Sequence, residues 1–345
     1  LIIVNVIFKL KLIAMDTQKK RADDLVAEAD KLLSSWSLLR SKTEKHEDAS
    51  GLYKQAGNIY KTEKMYDKAI DAFQKALVSF TVLKDDHERK YILIEKAKLY
   101  RLKGECDNAV EHYKNAIDVV NSTGSTDGSG KLWQEIADTF EKNLKESEEK
   151  GDDEHVIGKK VDNVVEAYKK ASEMYALADR DVSANEALIK ASNICINYDR
   201  YTDALECMDT SLARLASGSK TLWTVNQLIS KCVLCCLVCN DFVKSEEKLN
   251  RYRSMFDKFG NSTDDDAVKA VLQSVKDSDR GSFIELQKRY RSQIRNDIYT
   301  EKIVAEILGL YFNGEPDETN QHNTHTGSSR GKGSKIVEDE PEDLT

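Results

Sequence analysis

The feature that most constrains the fold of this chain is a residue pattern that returns about every 40 residues. Its first copy runs from Gly57 to Tyr60 and from Tyr66 to Ile70, and its second from Ala97 to Tyr100 and from Cys106 to Val110. The small residue that opens each second helix falls at positions 69, 109, 164, 204 and 245. A fixed period of this size indicates stacked helical hairpins, which bury their apolar stripes against one another.

The distribution of proline supports an all-α fold. The 345 residues include 2 prolines, Pro316 and Pro341, so more than 300 residues precede the first helix breaker. We therefore expect a right-handed solenoid of TPR-like helical hairpins that ends in a helical bundle. Such stacks mostly bind other proteins, which favours an adaptor over an enzyme.

Changes in composition divide the chain into four predicted segments. Residues 1–14 are apolar but interrupted by Lys9 and Lys11, and they precede Met15, so we interpret them as an extension of the gene model. The hairpin solenoid is predicted over residues 15–256 and a C-terminal helical bundle over residues 257–312. The polar and then acidic residues 313–345 are predicted to be a disordered tail.

Within the solenoid, the first helix is expected over residues 16–33. The Gly/Ser/Thr run at residues 121–130 predicts a flexible connector before a helix over residues 131–149. The charged residues 146–160 predict an insertion, because one repeat step there lengthens to 55 residues.

Charge and cysteine content limit the partners and the compartment. A formal net charge of −8 argues against nucleic acid, which requires a basic surface. Seven cysteines, an odd number without framework spacing, indicate a reducing compartment such as the cytoplasm.

The four cysteines Cys232, Cys235, Cys236 and Cys239 invite a zinc or redox interpretation. Their offsets of 0, 3, 4 and 7 instead place them on one face of a helix, where Cys packs as a small apolar side chain. We find no phosphate-binding loop, nucleophile elbow or zinc-protease motif. We therefore predict no catalytic residues, no metal and no cofactor.

A peptide-carboxylate clamp is the remaining motif. Lys54, Gly57 and Asn58 match the first half of the clamp that some tetratricopeptide co-chaperones use. The second half requires an asparagine one repeat later, but Glu95 occupies that position and would repel a carboxylate ligand. A generic TPR peptide-binding scaffold is still the main alternative function.

Several stretches resemble the soluble NSF attachment proteins of the alpha/beta type from about residue 21 to 308. They are residues 27–29 with the loop carrying Trp36, Leu38 and Leu39, then residues 53–58, 183–190 and 231–239. The resemblance implies an adaptor without catalysis of its own, which wraps a four-helix SNARE bundle with its concave face. It also implies recruitment of the hexameric ATPase NSF, which disassembles the bundle, at the cytosolic face of a membrane.

The resemblance further implies which residues meet the acidic bundle. By position they are Lys64, Arg101, Lys103, Lys131 and Lys190, with Trp223 as an aromatic contact. Two positions depart from the family pattern, because Glu186 and Asn226 stand where the family has basic residues.

Two further contacts follow from the resemblance. Trp36, Leu38 and Leu39 correspond to an apolar loop that touches lipid, although such a loop could equally pack into the first hairpin. Asp343 and Leu344 match the acidic C-terminal end that stimulates the ATPase. About 30 residues separate them from the last predicted helix, a spacing the family does not share.

Overall fold

The computed structural model describes residues 2–36, 40–124, 127–217, 222–294 and 297–312, without the side chains of residues 2–14, 127, 217, 222, 223 and 294. Over these residues the chain is an all-α solenoid, which confirms the predicted fold class. The first eleven helices are α1 (Ile2–Ser34), α2 (Lys42–Thr62), α3 (Tyr66–Leu83), α4 (Asp86–Lys103), α5 (Cys106–Ser122), α6 (Asp127–Lys150), α7 (Glu154–Leu177), α8 (Asp181–Asn197), α9 (Tyr201–Ser217), α10 (Leu222–Val238) and α11 (Phe242–Met255). A 3₁₀ turn at Phe259–Asn261 leads into α12 (Thr263–Lys276), α13 (Arg280–Arg289), α14 (Arg291–Ile294) and α15 (Ile298–Phe312).

Ion pairs between alternate helices show that the solenoid has two layers. Lys54 on α2 pairs with Glu88 on α4 at 2.6 Å, and Arg101 on α4 pairs with Glu135 on α6 at 2.7 Å. We call the surface formed by α2, α4, α6, α8 and α10 the A face. The odd-numbered helices form the second layer, in which Lys169 on α7 pairs with Glu206 on α9 at 2.7 Å.

The turns between paired helices share one backbone conformation. Each turn that follows an A-face helix contains one residue with positive φ, and these residues are Lys64, Gly104, Gly151, Asp199 and Asn240. A left-handed residue at a helix end satisfies the last carbonyl groups and reverses the chain. The repeat period therefore recurs in the backbone even where the residue type changes.

The predicted connector at residues 121–130 is wrong in extent, because α5 continues to Ser122 and α6 begins at Asp127. Gly130 belongs to α6 and allows α7 to approach closely. A Cβ atom at this position would lie 2.7 Å from the ring of Tyr175. Glycine at this position serves helix packing rather than flexibility.

The predicted insertion at residues 146–160 is also mostly helical. The helices α6 and α7 each contain 24 residues, and Asp153 caps α7 by accepting a hydrogen bond from the Val156 amide. The long repeat step therefore comes from longer helices and not from a long loop.

The C-terminal helices fold back onto the solenoid. The Tyr311 hydroxyl of α15 donates to the Leu237 carbonyl of α10 at 3.0 Å, and Lys302 donates to the Asn197 carbonyl of α8 at 2.7 Å. The helix α12 also contacts α10. Because α9, α11, α12 and α15 surround α10, its residues 232–237 are all buried. The sequence predicted one buried face, and the structure buries the whole circumference of this part of the helix.

The first helix begins at Ile2, well before the predicted start at residue 16. No helix in the described part of the chain is long and apolar enough to cross a membrane. The proposed division at residues 256 and 257 stays a prediction.

Candidate partner-binding face

A stripe of charged residues on α6 forms the centre of the candidate site. Lys131, Glu135 and Asp138 are spaced i, i+4 and i+7, so the helical period places them on one face. Lys131 is exposed and has no ion-pair partner among the described residues. It is therefore a cation available to an external partner.

Arg101 reaches this stripe from α4. Its guanidinium lies 2.7 Å from Glu135 Oε2, and the Tyr113 hydroxyl lies 3.4 Å from the same oxygen. Arg101 and Glu135 are both partly exposed, so the pair can exchange with an incoming charged group.

Lys190 reaches the same stripe from α8. Its ammonium lies 3.9 Å from Asp138 and 5.4 Å from the centre of the Tyr168 ring. The buried Tyr168 hydroxyl lies 2.8 Å from Asp138 Oδ1, so Asp138 already has a close partner. Burial and the hydrogen bond to Asp138 raise the pKa of Tyr168, which keeps the hydroxyl a donor. Lys190 is consequently only loosely held, and about half of its side chain is exposed.

The structure thus brings three of the predicted cations, Arg101, Lys131 and Lys190, onto adjacent helices. Lys142 joins them, because it lies eleven residues after Lys131 on α6 and its ammonium is 3.4 Å from the Arg101 carbonyl. The sequence analysis missed Lys142. Its spacing of about three helical turns from Lys131 would have placed both lysines on the same face of a helix. It also missed the carboxylates Glu135 and Asp138, so this part of the A face contains both negative and positive charges.

Two predicted cations lie elsewhere. Lys64 sits in the turn after α2, and Lys103 ends α4, where it pairs with Asp67 at 2.6 Å and with Glu105 at 2.5 Å. Both belong to the edge where the A-face helices end and not to the α6 stripe. The Trp223 side chain lies outside the described residues.

The two departures from the family pattern have different surroundings. Glu186 is exposed on α8 one turn before Lys190, so it lowers the positive charge of the stripe. Asn226 is 5% exposed, and its amide donates to Asp264 at 3.3 Å. Asn226 therefore faces α12 and does not present itself to a partner on the A face.

The clamp positions are engaged in internal contacts. Lys54 is held by Glu88, while Glu95 is 7% exposed and accepts hydrogen bonds from Lys61 and Lys98. Burial would raise the pKa of Glu95, but these two lysines outweigh burial and lower it. A carboxylate ligand would thus meet an ionised Glu95.

The cysteine cluster is part of the core. Cys232, Cys235 and Cys236 are buried, and Cys239 is exposed just beyond the end of α10. Burial raises the pKa of Cys236 to about 12, and it also raises the pKa of Cys232 and of Cys235. The described residues contain no group of three or more side chains placed to hold a metal ion.

The end of α1 presents a large exposed aromatic side chain. Trp36 is 85% exposed, and the Lys45 ammonium donates to the preceding carbonyl, that of Ser35. Ser41 caps α2 through a reciprocal capping box with Glu44. Leu38 and Leu39 lie outside the described residues.

Taken together, the two layers of hairpins define a TPR-like solenoid with a charged stripe on its A face. The family model described as soluble NSF attachment protein, SNAP, matches residues 20–308. The chain belongs to this family, which confirms the resemblance drawn from the sequence.

Curated relatives match along nearly their full lengths. The vesicular-fusion protein SEC17 of Komagataella phaffii is 25% identical over 295 residues, which cover 83% of this chain and 94% of the relative. The alpha-soluble NSF attachment protein of Mus musculus is 21% identical over 309 residues, which cover 88% and 99%. Among solved structures, BtubC from P. vanneervenii is 17% identical over 72% of this chain and 93% of its own, with a TM-score of 0.38.

Proposed function

We propose that this protein is an adaptor that binds an assembled four-helix SNARE bundle on its A face. It recruits an NSF-type AAA+ ATPase hexamer, which disassembles the bundle during vesicle fusion and intracellular protein transport. The observation that carries the proposal is the meeting of Arg101, Lys131 and Lys190 on adjacent helices of a chain that belongs to the SNAP family. The names of the relatives, a vesicular-fusion protein and an NSF attachment protein, support the pathway.

The charge arrangement suits an acidic partner. Lys131 has no ion-pair partner among the described side chains, and Lys190 stands at a long distance from Asp138. Carboxylates on an approaching helix bundle can therefore pair with these ammonium groups without breaking a tight internal contact. Lys64 and Lys103 would extend the contact along the edge, and Trp223 would add an aromatic contact.

Two further contacts complete the proposal. Trp36, with Leu38 and Leu39, touches the lipid surface, so that the protein works as a peripheral protein at the cytosolic face of a membrane. Asp343 and Leu344 stimulate the ATPase. The exposure of Trp36 supports the first contact, and the acidic residues around Leu344 support the second.

A pull-down with an immobilised SNARE complex and soluble NSF tests the proposal. We expect the wild-type chain to bind the complex, to retain NSF and to bind less as salt is added. The double variant Lys131→Glu/Lys190→Glu should bind several-fold more weakly, because each substitution places a negative charge against an acidic partner.

The matched control is Lys114→Glu/Lys159→Glu, which makes the same charge change at exposed positions of the second layer. A gain-of-binding variant, Glu135→Gln, should bind more tightly, since it releases Arg101 and removes a carboxylate from the stripe. If binding to the SNARE complex does not change with salt concentration and is equal in all three variants, the A-face contact is not based on charge.

A further inference from the structure

The helices α1 and α3 run parallel with a fixed register. Lys68 on α3 pairs with Asp23 on α1 at 2.7 Å, and Lys75 pairs with Asp30 at 2.7 Å. Both pairs have an offset of 45 residues and are separated by two helical turns. Lys68 and Lys75 therefore mark the stripe of α3 that faces α1.

This stripe continues beyond the end of α1. Val78 and Val82 follow Lys75 at i+3 and i+7, so they lie on the same side of α3. Val82 is the next position of the seven-residue series, about 10 Å beyond Lys75 along the axis. With the 45-residue offset its neighbour on α1 would be residue 37, but α1 ends at Ser34. Val82 is consequently 40% exposed, and Val78, whose neighbour in this register is Leu33 in the last turn of α1, is 52% exposed.

The register also places Trp36 beside these valines. Trp36 follows the end of α1 by two residues, and the Ser35 amide still bonds to the Lys31 carbonyl, which continues the helical path. The 45-residue offset therefore places Trp36 level with the last turn of α3. By this register, three exposed apolar residues from two elements share one end of the molecule, which is more than the scattered single residues of an ordinary surface.

Basic residues surround this apolar cluster. Lys31 lies in the last turn of α1, Lys42 is the first residue of α2, and Lys84 directly follows α3; all three are exposed. The acidic residues nearby are mostly engaged: Glu44 and Asp85 cap helices, and Asp48 pairs with Arg40 at 2.8 Å. Exposed apolar residues and exposed lysines at the same end of the molecule fit the boundary between headgroups and acyl chains of an anionic bilayer.

We propose that Val78 and Val82 of α3 are a second lipid-contacting element, which together with Trp36 binds a bilayer rich in anionic headgroups. The inference deepens the membrane contact in the proposed function and rests on it. The helix α3 would thereby set the angle at which the solenoid meets the membrane, because two separate elements fix an orientation and a single loop does not.

The experiment is co-sedimentation of the full chain with vesicles of phosphatidylcholine, with and without phosphatidylserine. The variant Val78→Ser/Val82→Ser should bind phosphatidylserine vesicles between about fivefold and tenfold more weakly. It should also melt at the wild-type temperature, since both side chains are exposed. Lys84→Gln should weaken binding only to vesicles that contain phosphatidylserine. The control is Val243→Ser on α11, which is 66% exposed at the opposite edge.

Three results would overturn the inference. If Trp36→Ser loses vesicle binding and the valine variant keeps it, the lipid contact is confined to the loop, and the proposed function stands without α3. If the valine variant melts at a lower temperature and binds vesicles normally, the two valines are covered by another segment of this chain. If Trp36→Ser and the valine variant both bind like the wild type, the membrane part of the proposed function fails together with the inference.

Discussion

The thiols of α10 differ in their access to solvent. Cys232, Cys235 and Cys236 are enclosed by four neighbouring helices, and burial raises the pKa of each. A thiol reacts through its thiolate, so these three residues are poor nucleophiles at neutral pH. Cys239 is the exposed member of the cluster.

We expect a thiol reagent to modify Cys239 rapidly in the native protein and the other three α10 cysteines only on unfolding. Mass spectrometry of the labelled chain measures this directly. In the Cys239→Ser variant the fast modification within this helix should disappear, with unchanged labelling at the half-buried Cys106. Fast labelling of Cys235 in the native chain would mean that α10 is not enclosed as described.

The candidate cations on the A face show what a sequence can reveal about single residues. The family resemblance implied Arg101, Lys131 and Lys190 as partner contacts, and the structure places them on adjacent helices. The pairing of Arg101 with Glu135 could not be predicted, because it depends on the angle between α4 and α6. Asn226 shows the converse, since a position expected on the A face is covered by α12, which returns from a distant part of the sequence.

At the scale of helices and turns, the same backbone conformation recurs in the repeat although the residue types differ. Lys64 and Gly104 are 40 residues apart and both have positive φ, 58° and 79°. Glycine adopts this conformation without a steric penalty, and lysine does not. The same turn is therefore strained at one repeat and relaxed at the next.

We expect Lys64→Gly to stabilise the fold by roughly 0.5–1 kcal/mol and Gly104→Lys to destabilise it by about the same amount. Urea denaturation of the two single variants and of their combination provides the measurement. The two effects should nearly cancel in the double variant, since the turns are separate. A stabilising Gly104→Lys would show that the turn does not require a left-handed residue.

Helix boundaries were harder to predict than the existence of helices. The run at residues 121–130 contains glycine, serine and threonine, which usually indicates a loop. Gly130 is helical because the ring of Tyr175 occupies the space where a side chain would stand. Such a contact is tertiary, so composition alone could not distinguish a packing glycine from a flexible one.

At the scale of the whole molecule, carboxylates linked to lysine and tyrosine make stability depend on pH. Hydrogen bonds from Lys68 and Tyr60 lower the pKa of Asp23. Burial would raise the pKa of Asp209, but hydrogen bonds from Lys248 and Tyr252 outweigh it and lower the pKa. A lowered carboxyl pKa stabilises the fold above the unfolded value, near 4, and this contribution is lost as the pH falls through the folded value.

We therefore expect the free energy of unfolding to fall as the pH is lowered below about 4. Asp265 acts in the opposite direction, because burial raises its pKa. Thermal melts between pH 7 and about pH 3 measure the net effect. Asp209→Asn should lower stability at neutral pH, because the buried Lys248 loses its partner at every pH. It should also make the melting temperature fall less steeply as the pH is lowered. If the melting temperature of this variant falls with pH as steeply as that of the wild type, Asp209 is not a main cause of the acid sensitivity.

The C-terminal tail leads to a prediction about the assembled machine. Five acidic residues lie between positions 338 and 343; Leu344 directly follows them, and Ile336 and Val337 directly precede them. Acidic groups speed capture by a basic surface, and a leucine buried in a pocket contributes about 1.5–3 kcal/mol.

We expect Leu344→Ala to keep SNARE binding and to lower stimulated NSF ATPase activity by tenfold or more. ATP hydrolysis and pull-down on the same preparation separate the two effects. A chain truncated after Asn313 should behave like the point variant. Full stimulation by the truncated chain would show that the tail is not the ATPase contact.

The return of α12 and α15 onto α10 has a consequence for assembly. A stack of hairpins whose last apolar surface is bare can accept the first hairpin of another copy, and repeated addition of this kind builds a filament. Here Tyr311 and Lys302 fasten α15 across α8 and α10, and α12 covers another side of α10. Growth by head-to-tail addition is therefore blocked at this end, so this solenoid does not extend itself into a filament through α10.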